Sequence, residues 1–498
     1  MSTGELSRSQ RPSGLLLLVP AVCVVALGWL VAAAPPVWAF AAIAGVLFLI
    51  VFLQRPDVGL LVALVVRSFT DLSISHIRAS APGEVYSSPL NIGLILIVIV
   101  AGGIFLLSRG TPLFRLPGGT SYVVLALIGL VGFVRAVEVA HTEGFLYGME
   151  HWLRIVSVLI VYALAAEVFN SAQHVPAVIK ALAMAFLIPA LFGFYQIASA
   201  HGGLGREVQP ITGTFAVQGN FAVFLVFMLG VFLCYGLAHS GLRRAWALGI
   251  VGASVVLLVA TYARTAWVGV MIFLLVIGVL KKRVFLVLAP LVAVIAVIAL
   301  PSVSSRLEGS FSSSEGSFAD RLGIWRTTGP AWLEYTSDSA GPVSTAVNRL
   351  IGTGPGSSQF LVSSAYGMVN AEHNDFLTAL FEYGIIGLTA YLALYLAIWS
   401  SAYRTWRRCT DEETASLPLA FLALIPSFMV MSLTDVVFGQ TQNQIYFWTL
   451  AGLTVAISRR IRDGERTSPK GLDVGPTRAH TDLAGIYPSR ISSRAGAG

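Results

Sequence analysis

Charged residues are scarce in this chain. They make up 11% of its 498 residues, whereas a soluble protein carries roughly a quarter. Hydrophobic residues make up 56%, and the mean hydropathy is +0.78. This composition excludes an ordinary soluble enzyme. It favours a polytopic membrane protein, in which helices contact lipid as well as each other.

Cysteine is also scarce, and no internal repeat is visible. The three cysteines, Cys23, Cys234 and Cys409, lie in or beside apolar runs and show no C-x-x-C spacing. Their number and positions predict neither a disulfide framework nor a zinc site.

Long apolar runs predict an all-α fold with about fourteen membrane spans. The run that begins at Gly14 is interpreted as a retained first helix rather than a cleaved signal peptide, because another apolar run follows it at once. The predicted spans lie near 14–34, 36–54, 58–70, 88–107, 120–136, 152–169, 176–199, 216–238, 246–262, 266–280, 284–301, 384–403, 415–434 and 443–458.

Basic residues mark alternate connections between these spans, which is the positive-inside pattern for a cytoplasmic N-terminus. They are Arg55, Arg109, Arg115, Arg243, Arg244, Lys281, Lys282, Arg283, Arg404, Arg407, Arg408, Arg459, Arg460 and Arg462. The orientation divides the chain into eleven spans (1–301), an extracytoplasmic loop with short helices (302–374), a loop-closing amphipathic helix with three spans (375–458), and a basic tail (459–498). Shorter outer loops are expected near 71–87, 137–151 and 200–215. The tail is predicted to be disordered and to contact anionic membrane lipid rather than nucleic acid.

The long polar segment ends at His373, and an apolar stripe at helical spacing follows it. The stripe consists of Phe376, Leu377, Leu380 and Phe381, which predicts a helix lying along the membrane. Asn374 or Asp375 is suited to cap its start. His373 would then face water beside the membrane, where a histidine can exchange a proton near neutral pH. The alternative for His373 is a hydrogen-bonded structural role.

Asp435 is predicted to end the next outward-going helix on the same side. It is a candidate to pair with an outer arginine or to orient a histidine. An ordinary polar helix end is the alternative.

Several arginines fall on the predicted outer side, where the positive-inside rule gives no reason for them. They are Arg135, Arg154, Arg206, Arg264, Arg306, Arg321, Arg326 and Arg349. Arg264 sits at a tight corner between two apolar helices, where an unpartnered guanidinium costs about 2–3 kcal/mol. Its planar fork suits diphosphate oxygens. An ion pair, or snorkelling to the interface, is the alternative.

Two further stretches of the polar segment stand out. Arg321 and Trp325 are four residues apart and share one face of a predicted amphipathic helix, which is suited to lie on the lipid surface. Residues 352–356 (GTGPG) predict a tight turn that brings backbone close to the site rather than a nucleotide-binding loop.

These motifs occur in the order typical of the O-antigen ligase and polymerase superfamily, which the chain resembles over roughly residues 200 to 455. They are 262–266 (YARTA), 321–325 (RLGIW), 352–356 (GTGPG), 373–377 (HNDFL) and 382–387 (EYGIIG).

The resemblance implies a multi-pass glycosyltransferase of the cytoplasmic membrane with its active site on the extracytoplasmic side. The donor would be a glycan on polyprenyl diphosphate, and the acceptor a glycan linked to lipid or envelope, with no metal or nucleotide cofactor. The family's catalytic histidine matches His373, and its phosphate-binding arginine matches Arg264. Its loop arginine matches Arg321, and Arg206 resembles another family arginine. Arg326 is a further candidate for the diphosphate.

The chemistry is consistent with these roles. Diphosphate is a good leaving group, so outer arginines need only stabilise its growing charge while His373 activates the acceptor hydroxyl as general base. Two alternatives stay open. One is a glycosyltransferase that uses a polyprenyl monophosphate sugar and an acidic metal site at Asp71. The other is a flippase or exporter of lipid-linked glycans, although a transporter would place ionisable residues at mid-helix.

Overall fold

The computed structural model describes residues 36–71, 89–171, 173–200, 210–290, 318–337, 342–360, 362, 373–437 and 441–467. All regular structure within these ranges is helical, as predicted. The helices are α1 (Pro36–Gln54), α2 (Pro56–Arg67), α3 (Pro89–Arg109), α4 (Gly119–Val168), α5 (His174–Ala200), α6 (Gln218–Ala238), α7 (Gly241–Thr261), α8 (Arg264–Leu280), α9 (Phe318–Ser337), α10 (Pro342–Ile351), α11 (Asp375–Arg408), α12 (Glu412–Met431) and α13 (Thr441–Thr467).

Local sequence signals explain where many of these helices begin. Helices α1, α2, α3 and α10 each start at a proline, whose fixed φ suits the first helical turn and whose missing N–H is not needed there. Helix α12 is capped by Asp411, whose carboxylate accepts a hydrogen bond from the Thr414 N–H at 2.8 Å. This bond holds the pKa of the Asp411 carboxyl below its usual value.

Helix α4 folds back on itself. The Trp152 indole donates to the Ala126 carbonyl at 2.9 Å, although 26 residues of straight helix would separate the two by about 39 Å. The Tyr162 hydroxyl likewise reaches Pro117 O at 2.9 Å. The two arms correspond to the predicted spans 120–136 and 152–169. The expectation of an open loop near 137–151 is wrong, because the backbone there is helical.

Six helical stretches of the described residues are long and apolar enough to cross a membrane. They are Gly148–Val168, His174–Ser199, Gln218–Ala238, Gly241–Thr261, Asp375–Arg408 and Glu412–Met431. Shorter apolar helices occur at Ala44–Gln54, Gly93–Arg109, Gly119–Val134 and Arg264–Leu280. The described part of the chain is therefore all-helical, and its apolar helices are those of a multi-pass membrane protein. The predicted count of about fourteen spans stays a prediction.

The third predicted span and the start of the predicted tail correspond to described helices. The third span corresponds to α2, which has 12 residues and is about 18 Å long. That length falls short of a hydrocarbon core about 30 Å thick. The predicted disordered tail begins later than residue 459, because α13 continues to Thr467. The rest of the tail lies outside the described residues.

The centre of the bundle is formed by helices that other helices surround. In α6, 89% of the apolar window is buried inside the protein, against 28% in α7. The first half of α13 is almost completely buried as well, with Tyr446 and Trp448 both at 2% exposure or less. A helix that is apolar on all sides can contact either lipid or other helices. Its sequence therefore does not show whether it lies at the centre or at the periphery of the bundle.

Two ion pairs lie together at one end of the bundle. Lys281 pairs with Glu412, and Arg243 pairs with Glu413, each at 3.5 Å. These contacts join connections that the sequence predicts to be cytoplasmic. The opposite end carries the start of α6, the corner between α7 and α8, and the turn after α12. The residues singled out as a possible site gather at this second end.

Candidate functional site

The start of α11 is capped as the sequence predicts. The Asn374 side-chain oxygen accepts hydrogen bonds from the backbone N–H groups of Phe376 (3.0 Å) and Leu377 (3.1 Å). Its amide nitrogen donates to the Leu433 carbonyl at 3.1 Å. Asn374 therefore satisfies the free N–H groups of the helix start and also ties that start to the turn after α12.

Asp375 makes the second tie to the same turn. Its backbone N–H donates to Ser432 O at 3.0 Å, and its carboxylate accepts from the Val437 N–H at 2.9 Å. Only 5% of Asp375 is exposed. The capping role therefore belongs to Asn374, while Asp375 bridges two segments that are about sixty residues apart in the chain.

These ties bring His373 next to Asp435. His373 Nδ1 lies 3.8 Å from Asp435 Oδ1, which is within ion-pair distance and longer than a hydrogen bond. The two side chains are 32% and 18% exposed. Asp435 lies four residues past the last residue of α12 rather than in the helix itself. The Asp435 carboxylate lies beside Gly219 at the start of α6.

His373 has an unusual backbone conformation. Within the described part of the chain, His373 (φ 50°) and Tyr262 (φ 54°) are the two non-glycine residues with positive φ. The left-handed region costs an ordinary residue roughly 1–2 kcal/mol, and such residues concentrate at functional sites. One of the two is the predicted catalytic histidine, and the other lies two residues before Arg264.

Arg264 is the first residue of α8 and lies at the same end of the bundle. Helix α8 runs antiparallel to α12: Ser427 Oγ donates to Gly269 O at 2.7 Å, while Lys281, just after α8, pairs with Glu412 at the start of α12. The beginning of α8 therefore lies beside the end of α12, where the turn with Asp435 follows. Arg264 is half-buried.

Helix α9 packs over the first arm of α11. Trp332 stacks obliquely on Phe381, with ring centroids 5.6 Å apart, and its indole donates to Phe381 O at 3.3 Å. Arg321 and Arg326 lie earlier on α9, about three and about two turns before this contact. Arg321 is half-buried and Arg326 is exposed. The structure thus places both arginines on α9, the helix whose Trp332 contacts the first arm of α11.

The glycine-rich stretch forms the tight turn that its sequence predicts. Gly352, Gly354 and Gly356 all have positive φ (79°, 103° and 74°). The N–H of Thr353 donates to Phe381 O at 2.9 Å, and that of Gly354 donates to Glu382 O at 3.0 Å. The turn therefore packs against the end of the first arm of α11.

Helix α11 kinks where this turn contacts it. Gly384 has φ 68° and ψ −168°, a combination open essentially to glycine alone. A Cβ at Gly384 would overlap the Leu350 carbonyl. The kink separates the short arm that begins beside His373 from the apolar arm that follows, as the predicted amphipathic helix and span require.

Sequence reasoning missed the buried partners behind this arm. The Ser358 hydroxyl donates to the Glu382 carboxylate at 2.6 Å, and Glu382 is only 3% exposed. His151 and Arg154 lie on the second arm of α4 and line a cavity together with Asp375 and Glu382. Arg154 had been noted only as an outer arginine, and nothing in the linear sequence links it to residue 382.

The predicted site is thus assembled in part. The structure brings Asp435, from the turn after α12, next to His373 and Asn374 at the start of α11. It places Arg264 at the same end of the bundle. Arg321 and Arg326 lie on α9, and their contact with the diphosphate stays a prediction. Arg206 lies outside the described residues.

Asp71 is the candidate metal ligand of the alternative, metal-dependent glycosyltransferase. It is buried in a network of hydrogen-bonded side chains. Its carboxylate pairs with Arg67 at 3.2 Å and accepts from the Gln442 amide. Gln442 in turn accepts from Asn220 at 2.7 Å. Among the described residues, no group of three or more His, Cys, Asp or Glu side chains is arranged to hold a metal ion.

Comparison with known protein families identifies the part of the chain that carries most of this geometry. Residues 247–392 match the O-antigen ligase family. The match includes the Arg264 corner, α9, α10, the glycine-rich turn, His373 and α11 as far as residue 392, with its kink, so the resemblance seen in the sequence motifs is confirmed. No curated protein matches the chain. The O-antigen ligase match, together with the apolar helices, supports a membrane protein with a role in glycan transfer.

Proposed function

We propose that this protein transfers or polymerises a glycan, carried on a polyprenyl diphosphate, onto an acceptor sugar hydroxyl at the outer face of the cytoplasmic membrane. The observation that carries the proposal is the position of His373, held in a left-handed conformation with Nδ1 3.8 Å from Asp435 Oδ1. The O-antigen ligase match over residues 247–392 supports the choice of substrates.

In the proposed reaction, His373 takes the proton of the acceptor hydroxyl as that oxygen attacks the anomeric carbon of the donor. The bond between this carbon and the diphosphate oxygen breaks, and the diphosphate leaves with the electron pair. Asp435 stabilises the positive charge that forms on His373, as a carboxylate does for a histidine base. Proximity contributes as well, because donor and acceptor meet at one end of the bundle.

Arg264 is proposed to stabilise the charge that grows on the diphosphate. Its place at the start of α8 adds the partial positive charge of a helix N-terminus, which favours an anion. Arg206, Arg321 and Arg326 are proposed as further contacts to the diphosphate. Asn374 supports the site by fixing the start of α11 next to His373.

The two alternatives have weaker support. A metal-dependent enzyme centred on Asp71 requires free carboxylate oxygens, whereas Asp71 is already engaged by Arg67 and Gln442. A transporter would place its ionisable site groups near mid-helix, whereas Arg264 is the first residue of α8, and His373 and Asp435 lie in the turns before α11 and after α12.

Gene deletion tests the proposal in cells. Deletion is expected to cause a polyprenyl-diphosphate-linked glycan to accumulate, and the wild-type gene should remove it again. A gene that encodes His373→Ala, expressed at the same level, should leave the lipid-linked glycan in place. A deletion strain with unchanged lipid-linked glycans, or full complementation by His373→Ala, would overturn the proposal.

A further inference from the structure

A cavity of about 250 Å³ lies next to the residues that follow His373 and Asp435 in the chain. Its walls come from both arms of α4, residues 358–359, both arms of α11 and the start of α13. Asp375 and Val436 are part of the lining, and each is close in sequence to His373 or Asp435. The volume is roughly eight times the ~30 Å³ that one water occupies in the liquid, so the cavity has room for a small organic group such as one sugar ring.

The lining combines aromatic rings with hydrogen-bonding groups. Four tyrosines, Tyr122, Tyr383, Tyr391 and Tyr395, line it together with apolar side chains. Ring faces pack against the C–H faces of a sugar, while hydroxyl, amide and carboxylate groups bond to its hydroxyls. Such a mixture of a mostly apolar wall and a few polar groups is typical of small-molecule sites.

The charges in the lining disfavour an anion. One arginine, Arg154, faces two acidic residues, Asp375 and Glu382. Arg154 is moreover ion-paired with Glu150, which lowers its attraction for a further negative group. A diphosphate needs an excess of positive charge, so an uncharged ligand suits this cavity better.

Two buried polar atoms of the lining residues point to a ligand. Among the described residues, neither His151 Nδ1 nor the Arg154 Nε has a hydrogen-bond partner, although both atoms are buried. A buried polar atom without a partner costs roughly 1–3 kcal/mol. Because His151 and Arg154 both line the cavity, a rotation of either side chain would bring its unpartnered atom to a sugar hydroxyl, which both donates and accepts.

We propose that this cavity binds one uncharged sugar ring of a glycan substrate and so helps to select that substrate. This inference rests on the proposed function, since it takes the ring to belong to the donor or the acceptor of glycan transfer. It adds to the proposed mechanism a sugar-specific position distinct from the diphosphate contacts.

Binding to the purified protein in detergent tests the proposal by saturation-transfer NMR. The probes are methyl glycosides of neutral hexoses, with glucuronate and inorganic pyrophosphate as charged competitors. At least one neutral glycoside is expected to give signals, and neither charged probe should displace it. Absence of binding by every neutral glycoside, or displacement by pyrophosphate, would contradict the proposal.

Matched variants locate the bound sugar. Ala379 lines the cavity, so Ala379→Leu should occupy part of the space that the ring needs and abolish the signals. Ala393 is exposed on the second arm of the same helix, and Ala393→Leu should leave binding unchanged. Unchanged binding in Ala379→Leu would overturn the proposal.

His151→Leu separates a binding role from a structural one, and it also covers the case in which Ala379→Leu fails to fold. Removing one buried, unpartnered polar atom should weaken glycoside binding roughly three- to tenfold, as expected for one lost hydrogen bond. The thermal unfolding temperature should stay the same or rise. A lower unfolding temperature together with unchanged binding would assign His151 to the fold alone and contradict the proposal.

Two comparisons separate this inference from the proposed function. His373 is not part of the cavity lining, so glycoside binding should persist in His373→Ala protein even when transfer is lost. In the transfer assay, Ala379→Leu should raise the KM of one substrate, and whether this is the donor or the acceptor identifies the source of the ring. Full transfer with both KM values unchanged in Ala379→Leu would reject the sugar site while leaving the proposed function intact.

Discussion

His373 and Tyr262 hold a backbone conformation that ordinary side chains avoid, and each lies at or beside a proposed site residue. Such a conformation persists only where surrounding contacts impose it. Around His373 these contacts are the cap by Asn374 and the bridge from Asp375 to Val437. The position of the histidine is thus a consequence of bonds made by its neighbours.

The pairing of His373 with Asp435 leads to a prediction about coupling. Asp435→Asn should lower turnover by roughly ten- to hundredfold, because the positive charge that forms on His373 during the reaction loses a neighbouring carboxylate. In the His373→Ala background the same substitution should have little further effect, because the two residues act as a unit. Turnover of the two single variants and the double variant provides the measurement. Fully multiplicative losses would show that Asp435 acts independently of His373.

Arg264 leads to a second prediction at the residue scale. Arg264→Ala should reduce use of the diphosphate-linked donor by roughly ten- to hundredfold, and Arg264→Lys should restore only part of it because an ammonium lacks the planar fork. Donor titrations in a transfer assay measure this effect. Full activity of Arg264→Ala at normal protein level would remove Arg264 from the site.

At the scale of elements, the kink in α11 joins the short arm that begins beside His373 to the long apolar arm that follows. Gly384→Ala should destabilise the protein by about 3 kcal/mol, because alanine neither adopts this conformation readily nor fits beside Leu350. Gly252→Ala on α7, where a Cβ meets nothing within 4 Å, is the matched control and should stabilise the helix by about 1 kcal/mol. Thermal unfolding in detergent distinguishes them. Equal stability of the two variants would contradict the described kink.

The elements also show which features of this protein can be inferred from sequence. The Asn374 cap, the turn at 352–356 and the helix after His373 were predictable because each depends on neighbouring residues. The cavity groups His151 and Glu382 were not, because their meeting depends on packing between α4 and α11. The helical backbone through 137–151 was not predicted either, because this stretch lies between two predicted spans and was therefore expected to be a loop.

At the scale of the whole molecule, burial is the least predictable feature. Gln218–Ala238 and Gly241–Thr261 are both apolar enough to span a membrane, yet the first is surrounded by protein and the second is largely exposed. High hydropathy is compatible both with a protein interior and with contact to lipid, so it does not distinguish the two. Asp71 illustrates the same point, because it falls at the edge of the predicted outer loop 71–87, whereas packing buries it beside Arg67.

The distribution of charge between the two ends leads to a prediction of topology. The end with Arg243 and Lys281 should face the cytoplasm, and the end with His373 should face outward. A cysteine introduced at Ser313 should react with an impermeant maleimide added to intact cells, and one at Ser468 should react only after lysis. The reverse labelling would contradict an outward-facing site.

The most direct test of the account is glycan transfer by purified protein in the presence of EDTA, with wild type, His373→Ala and His373→Gln compared. General-base catalysis typically contributes ~10²–10⁴-fold, so both variants should lose turnover to that extent while their binding of the lipid-linked donor stays near that of wild type. Glutamine keeps a hydrogen bond but cannot accept the proton at neutral pH. The account predicts that wild-type turnover survives EDTA. Turnover that disappears with EDTA and returns with Mg²⁺ or Mn²⁺, or an active His373→Gln variant, would contradict it.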